Sequence, residues 1–300
     1  MSRRPRYAAR AARPQCDPAK APRSFRADRA SRGPPRYPRN VPGIVTLTTD
    51  FGTRDPYAAQ LRGVLLTSCE GVRVHDLTHE IAPQDVLEGA LFLAAAVPRF
   101  PPGTVHLAVV DPGVGTSRRA IAASLGGQHV VCPDNGLLTL LARRAPIEEV
   151  RSLERASLRR EPVSPTFHGR DLFAPAAAFL ACGGALEQLG PPVEDPIELP
   201  LPRPRSEGAR LLGEVLHVDR FGNAITNLAR SDIEAIAAGP VRVEAGGRRL
   251  ALARTYGDVA EGEPLALIGS ADLLELAVRN GNAAATLGLD RGSEVVVAAG

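Results

Sequence analysis

From Val41 onward, apolar and polar positions alternate between two periods. "GIVTLTTD" reads as a buried strand and "DPYAAQLRGVLLTSC" as a helix. "VRVHDLT" is a second strand, "QDVLEGALFLAAAV" a second helix and "TVHLAVVD" a third strand. Strands rich in β-branched residues, alternating with helices of this length, predict βαβ crossovers and a mostly parallel sheet. "AIAASL" and "HVVC" predict two further strands, "GLLTLLAR" a short helix, and residues 171–182 a closing helix on the sheet.

The texture changes at "GPPVEDPIELPLPRPRSEG", a proline-rich stretch with no periodicity. After it come "LLGEVLHVD", "VRVEAGGRRLAL", "EPLALIG", "LLELAV" and "SEVVVAA", short strands separated by Gly and Asn turns. The Gly246-Gly247 pair is a hairpin signal, and strands without intervening helices predict a small antiparallel barrel or sandwich. The expected organisation is therefore a basic tail at 1–41, a mostly parallel α/β sandwich domain at 42–195, a linker at 196–210 and an antiparallel β-barrel domain at 211–300.

Charge refines only the beginning of the chain. Residues 1–41 hold eleven arginines and Lys20 against Asp17 and Asp28, a net of +10 within a total of +3. Seven prolines and few large apolar residues predict that this segment does not fold by itself. Lys20 is the only lysine, so basicity is carried by arginine throughout and reads as a composition bias; a nucleic-acid partner is not expected. Ser2-Arg3-Arg4 is followed by no apolar stretch of the export type, and no apolar run approaches the roughly 18 residues that span a bilayer. The four cysteines, at 16, 69, 132 and 182, have no zinc-like spacing. Cys69 and Cys182 lie in apolar helical surroundings, so reduced thiols in a cytoplasm are the expectation.

In open α/β sheets, ligands bind beyond the carboxyl ends of the strands. Here those ends carry Asp50, then His75-Asp76 and His79, then Asp111 with Arg118-Arg119, then Asp134-Asn135, with His168, Arg170 and Asp171 at the mouth of the closing helix. Asp50 is equally suited to cap the helix beginning near Asp55. His75 and His79 have a zinc-like i, i+4 spacing, but their segment reads as strand and turn, and no HExxH is present. "GVGTS" is too short for a dinucleotide fingerprint. Asp111, Arg118 and His168 form a carboxylate, guanidinium and imidazole set able to hold and activate a water without a metal; a salt bridge with a capping histidine accounts for the same residues.

"TDFG..D.Y", "DLTHEIAPQDV", "VVDPGVGTSRR", "PDNGLLT", "TFHGRDLFAPAAA" and "VDRFGNAITN" resemble, in order, the S-adenosylmethionine hydroxide adenosyltransferases, once the domain-of-unknown-function 62 family and relatives of fluorinase and chlorinase. The resemblance covers roughly residues 43 to 300. It implies attack of water or hydroxide on the ribose 5′ carbon of S-adenosylmethionine, releasing adenosine and L-methionine, with no metal and no cofactor. It puts the water-activating trio on Asp111, Arg118 and His168; halogenating relatives carry different residues there, an aromatic one replacing the histidine. It implies Asp50 for the ribose diol, Asp219 and Asn223 for the methionine ammonium, Phe221 against adenine and Ser270 for the carboxylate, with Glu275, Val278 and Ala283 flanking the base and amino acid. Ala271-Asp272 departs from the glycine-containing version of that turn, and an inward Asp272 would repel the carboxylate. The resemblance also implies a homotrimer with the site between subunits. The competing readings are a halogenase of the same fold, non-turnover nucleoside sensing, metal-dependent phosphoester hydrolysis through Asp50, Asp76, His79 and Asp111, and nucleic-acid binding through the arginine-rich tail.

Overall fold

The computed structural model describes residues 43–236 and 239–300; the expected basic tail lies outside them. The first half runs β1 (Ile44–Thr49), α1 (Tyr57–Ser68), β2 (Arg73–Thr78), α2 (Val86–Ala96), β3 (Thr104–Val109), β4 (Ala120–Leu125), β5 (Gln128–Pro133), α3 (Thr139–Ala142), β6 (Glu149–Ser152) and α4 (Ala174–Ala181). The strands make one sheet of order β2-β1-β3-β5-β4-β6. β2, β1, β3 and β5 are parallel, and β4 lies antiparallel between β5 and β6.

Period-two alternation splits each central strand between two cores. Val45, Leu47, Val105 and Leu107 face α1 and α4, whereas Ala108, Val110, Ile121 and Val130 pack with Leu93 of α2 and Leu141 of α3. All eight residues of α4 are buried, and its five alanines let the helix lie close to the sheet. One fully buried polar side chain is paired between strands. His106, fully buried in β3, lies 2.7 Å from Thr46 Oγ1 and 3.2 Å from Gln128 Oε1, and burial lowers its pKa to about 4.

Two expectations are corrected in this half. The helix expected over 171–182 opens earlier, as a π-helical turn from Gly169 to Phe173, and becomes α-helical only at Ala174. Within that turn Asp171 accepts hydrogen bonds from Ser164 N–H at 2.9 Å and from both forks of Arg170 at 2.7 and 2.8 Å. Second, Cys69 and Cys182 are not free thiols. They are the C-caps of α1 and α4, their Cα atoms stand 5.8 Å apart, and they form a disulfide across 113 residues of sequence. Apolar helical surroundings describe each cysteine correctly but say nothing about which helix ends meet. Cys132 remains free and buried, its thiol pushed well up by burial.

The proline-rich segment after α4 is tied down rather than loose. Arg119 pairs with Asp134 and Asp195, Asp134 also accepts Ile197 N–H at 2.8 Å, and Thr139 Oγ1 accepts Leu199 N–H at 2.8 Å. The second half contains β7 (Arg205–Glu207), β8 (Arg210–Val218), β9 (Ala224–Ala229), α5 (Arg230–Ile236), β10 (Val241–Ala245), β11 (Arg248–Ala253), β12 (Pro264–Ile268), β13 (Leu273–Val278), α6 (Ala283–Leu287) and β14 (Glu294–Ala299). Order β14-β10-β11-β12-β13-β9-β8 with β14 back on β8 closes a seven-stranded barrel. Its pairs are antiparallel except β11–β12, which is parallel. Gly246 and Gly247, at φ +56° and +70°, make the expected two-residue hairpin between β10 and β11. The α/β domain followed by a β-barrel is the architecture the pattern predicts. Among the described residues no helix is long and apolar enough to cross a membrane.

Candidate active site

A cleft of about 590 Å³ opens at the carboxyl ends of β1 and β3 and the mouth of the π-helical turn. Asp50, Asp111 and His168 line it, with Gln60, Gln84 and Arg170 around them and the rings of Phe51, Tyr57 and Phe167 on one side. Those three rings meet edge to face, with centroids 5.5–6.0 Å apart. Arg170 lies over Phe167 at 5.0 Å and donates to Gln60 at 3.2 Å, tying α1 to the turn that carries His168.

The trio is one hydrogen-bonded unit. Arg118 grips Asp111 with both arms of its guanidinium, Nε at 2.8 Å from Oδ1 and Nη2 on Oδ2. The same Nη2 stands 3.0 Å from His168 Nδ1, and Phe173 lies beneath the guanidinium at 5.0 Å. The Asp111 and Arg118 side chains are almost wholly buried. Burial and the charge of Arg118 both lower the His168 pKa, keeping the imidazole neutral near pH 7. A guanidinium can only donate, so Nδ1 presents its lone pair and the ring proton sits on Nε2. That tautomer is assigned by the hydrogen-bond network.

Asp50 does not cap α1, whose N-cap is Pro56 without a side-chain bond. Its Oδ2 instead accepts Gln84 N–H at 2.8 Å, and burial raises its pKa. The zinc-like pair is dispersed: β2 is a strand as expected, His75 is exposed, and buried His79 lies 2.8 Å from Thr49 Oγ1 and 3.1 Å from Asp76. Asp76 is itself held by Arg62. Among the described residues no cluster of His, Cys, Asp or Glu is arranged to hold a metal.

A second group of polar residues gathers on the barrel. Asp219 Oδ1 accepts the N–H groups of Phe221 and Asn223 at 2.8 and 2.9 Å, and Oδ2 accepts Asn223 Nδ2 at 3.0 Å. This hydrogen-bonded loop leaves Phe221 75% exposed. Gly222, at φ +84°, touches Asn282, and its carbonyl accepts Ala284 N–H at 2.9 Å, which brings the "NGNAA" turn beside Asp219. Glu275 is buried and accepts Tyr256 O–H at 2.6 Å; burial, then the charge of Asp219, raises its pKa. Val278 and Ala283 are core residues of the barrel, so their side chains have little left to offer a ligand. Ser270 lies in the turn before β13. Asp272 takes the left-handed backbone at φ +62° there, and its carboxylate is drawn out to Arg230 Nε at 2.8 Å.

The cleft is lined only by residues of the α/β domain. Within one chain, therefore, Asp50, Asp111 and His168 share a cleft with Arg118 behind them, and Asp219, Phe221, Asn223 and Glu275 form a separate set. Sequence reasoning missed Tyr57, Gln60, Gln84, Phe167 and Tyr256. Tyr57, Gln84 and Phe167 stand inside the motifs quoted above, whereas Gln60 and Tyr256 carry no local signal.

Residues 45–190 match the family model described as SAM (S-adenosylmethionine) hydroxide adenosyltransferase N-terminal domain, and residues 213–296 its C-terminal counterpart. The chain belongs to the SAM hydroxide adenosyltransferase family. It is 49% identical to the (R)-S-adenosyl-L-methionine hydrolase of Thermus thermophilus, over 84% of this chain and 98% of that one. It is 44% identical to the enzyme of the same name from Salinispora tropica, over 85% and 98%. A fluorinase from Actinoplanes is more distant, at 30% identity over 80% and 92%. A solved structure of an uncharacterized conserved protein from Thermotoga maritima superposes with a TM-score of 0.79 at 37% identity, covering 85% of this chain and 99% of that one.

Proposed function

We propose that this chain hydrolyses S-adenosyl-L-methionine to adenosine and L-methionine, and that its substrate includes the (R)-sulfonium form for which its relatives are named. The observation that carries the reading is the buried Asp111–Arg118–His168 unit facing the cleft. The water oxygen attacks C5′, the C5′–S bond breaks, and its electron pair stays on sulfur as the neutral thioether of methionine. Asp111 aligns the water and takes its proton, which passes to solvent. Arg118 stabilises the hydroxide character that develops, and His168 orients the nucleophile as an Nε2–H donor rather than as the base, because Nδ1 is engaged. Anion and cation neutralise in the transition state, an attraction strengthened where bulk water is excluded. A sulfonium is a good enough leaving group that no step calls for a metal or cofactor.

Asp50 holds the ribose diol, Asp219 and Asn223 the ammonium, Phe221 the adenine and Ser270 the carboxylate, with Glu275 beside them and Val278 and Ala283 supporting these groups from the barrel core. Asp272 does not repel the substrate in this reading, since it is paired outward with Arg230. The reading extends to a homotrimer with the site between subunits; its support is that the cleft borrows no barrel residue of its own chain and that Phe221 stands exposed on the barrel. We read the enzyme as cytoplasmic, with the Cys69–Cys182 bridge shielded from reductants by its burial at the two helix ends.

The test is a product assay on chelator-treated protein in oxygen-18 water, with and without chloride and fluoride. Adenosine carrying one heavy oxygen is expected. A 5′-halogenated nucleoside would make the chain a halogenase, and tight binding without turnover would make it a sensor.

A further inference from the structure

The turn before α2 is strained and heavily tethered. Gln84 adopts a left-handed backbone at φ +66°, a conformation that non-glycine residues hold only where their surroundings over-determine it. What that geometry achieves is to aim Gln84 N–H at Asp50 Oδ2, 2.8 Å away.

The tethers come from two directions. Within the α/β domain, Asp85 N–H bonds Ala82 O at 2.9 Å, Asp85 Oδ1 caps α2 by accepting Glu88 N–H at 3.0 Å, and Glu88 Oε2 accepts Ala82 N–H at 2.7 Å. From the barrel, Arg291 Nη2 binds Asp85 Oδ2 at 2.6 Å, and His217 Nδ1 approaches Glu88 Oε1 at 3.6 Å with its ring edge-on to Phe92. Both oxygens of Asp85 are thus engaged, one serving the helix and the other serving the barrel. Because Asp85 directly follows Gln84, its position sets where the Gln84 N–H points.

We infer that Arg291 is a positioning residue for the reaction: through Asp85 and the Gln84 backbone it fixes the carboxylate of Asp50. The inference rests on the proposed role of Asp50 with the ribose diol. One oxygen of Asp50 is held by the turn, leaving the other directed at the substrate. The barrel therefore contributes to the cleft of its own chain indirectly, across the domain contact, in addition to whatever surface it offers a neighbouring subunit.

The experiment compares Arg291→Gln, which removes the ion pair, with Arg291→Lys, which keeps it, and with Arg291→Gln combined with Gln84→Gly. Steady-state kinetics on S-adenosylmethionine and its 2′-deoxy analogue are run alongside melting temperatures. Arg291→Gln should raise KM roughly ten-fold with kcat nearly unchanged, the effect of weakening one hydrogen bond to a charged group. It should also blunt discrimination against the 2′-deoxy substrate. Lysine should restore both. Glycine at 84 adopts the left-handed turn without strain, so it should recover part of the KM. A lowered melting temperature with KM and discrimination intact would overturn the inference and leave Arg291 a purely structural residue. A parent enzyme that neither binds nor converts the substrate would instead bring down the functional reading, and this inference with it.

Discussion

Arg118 Nη2 stands 3.0 Å from His168 Nδ1 across 50 residues of sequence, while the neighbouring Arg119 turns away to Asp134 and Asp195. Two adjacent arginines thus do different work: one organises the cleft, the other pins the linker. The Arg118–His168 contact also sets the imidazole tautomer, and so decides which ring atom carries the proton.

His168→Ala and Arg118→Ala should each lower kcat by on the order of 10²–10³-fold, within the range for a positioned acid–base or electrostatic group, with KM changed far less. His168→Gln, which retains a side-chain donor, should fall between His168→Ala and the parent. Steady-state kinetics decide the matter. Equal losses in kcat and affinity, or a glutamine variant no better than alanine, would contradict the donor role.

Asp50→Ala should weaken binding of S-adenosylmethionine by at least roughly ten-fold, the order expected for a hydrogen bond to an ionised carboxylate. The 2′-deoxy substrate should then suffer a smaller penalty than it does with the parent. Isothermal titration on both ligands measures this. Unchanged discrimination would remove Asp50 from the diol.

Mixing His168→Ala with Phe221→Ala protein, after dissociation and reassembly, should recover activity that neither variant has alone. Each mixed trimer would pair an intact cleft from one chain with an intact barrel loop from another. Activity no greater than the sum of the separate variants, or a monomeric mass by light scattering, would dismiss the shared site.

The Cys69–Cys182 bridge closes a long loop, and the chain-entropy account assigns such a bridge roughly 4–5 kcal/mol of stability. Reductant, or Cys69→Ser, should therefore lower the melting temperature substantially. Alkylation of the denatured, unreduced protein followed by peptide mass mapping checks the bridge itself: Cys69 and Cys182 should escape labelling, while Cys132 should react.

His106 is buried and neutral, with its folded-state pKa depressed by burial to about 4. A depressed histidine pKa means that the unfolded chain takes up the proton first. Its contribution is therefore fully present above the unfolded value near 6.5 and is lost as pH falls from there toward 4. The loss is about 3 kcal/mol. Denaturant titrations between pH 7 and pH 4 should show a steeper fall for the parent than for His106→Gln. Parallel curves would mean that His106 does not carry this linkage.

What the sequence determined by itself follows from local pattern. Short β-branched runs and helix-length apolar stretches specify β1, α1, β2, α2 and β3, because strand and helix preference is a property of a few neighbouring residues. The Gly246-Gly247 hairpin belongs with them, since only backbones free to take positive φ make that turn. Asp50, Asp111, Arg118 and His168 were legible because strand ends in such sheets converge on one edge. Tertiary structure decided the rest. Cys69 and Cys182 meet only because α1 and α4 end side by side. The parallel β11–β12 pair and the return of β14 to β8 close the barrel through contacts that no local period encodes. Gln84 and Asp272 sit in left-handed conformations that their side chains do not favour, and each is held there by partners from elsewhere in the chain. The π-helical turn under His168 comes with Asp171 bonded to both Ser164 and Arg170, contacts that no local period encodes. In each case a distant contact outweighed local preference, and those contacts are what turn a row of strand-end residues into a site.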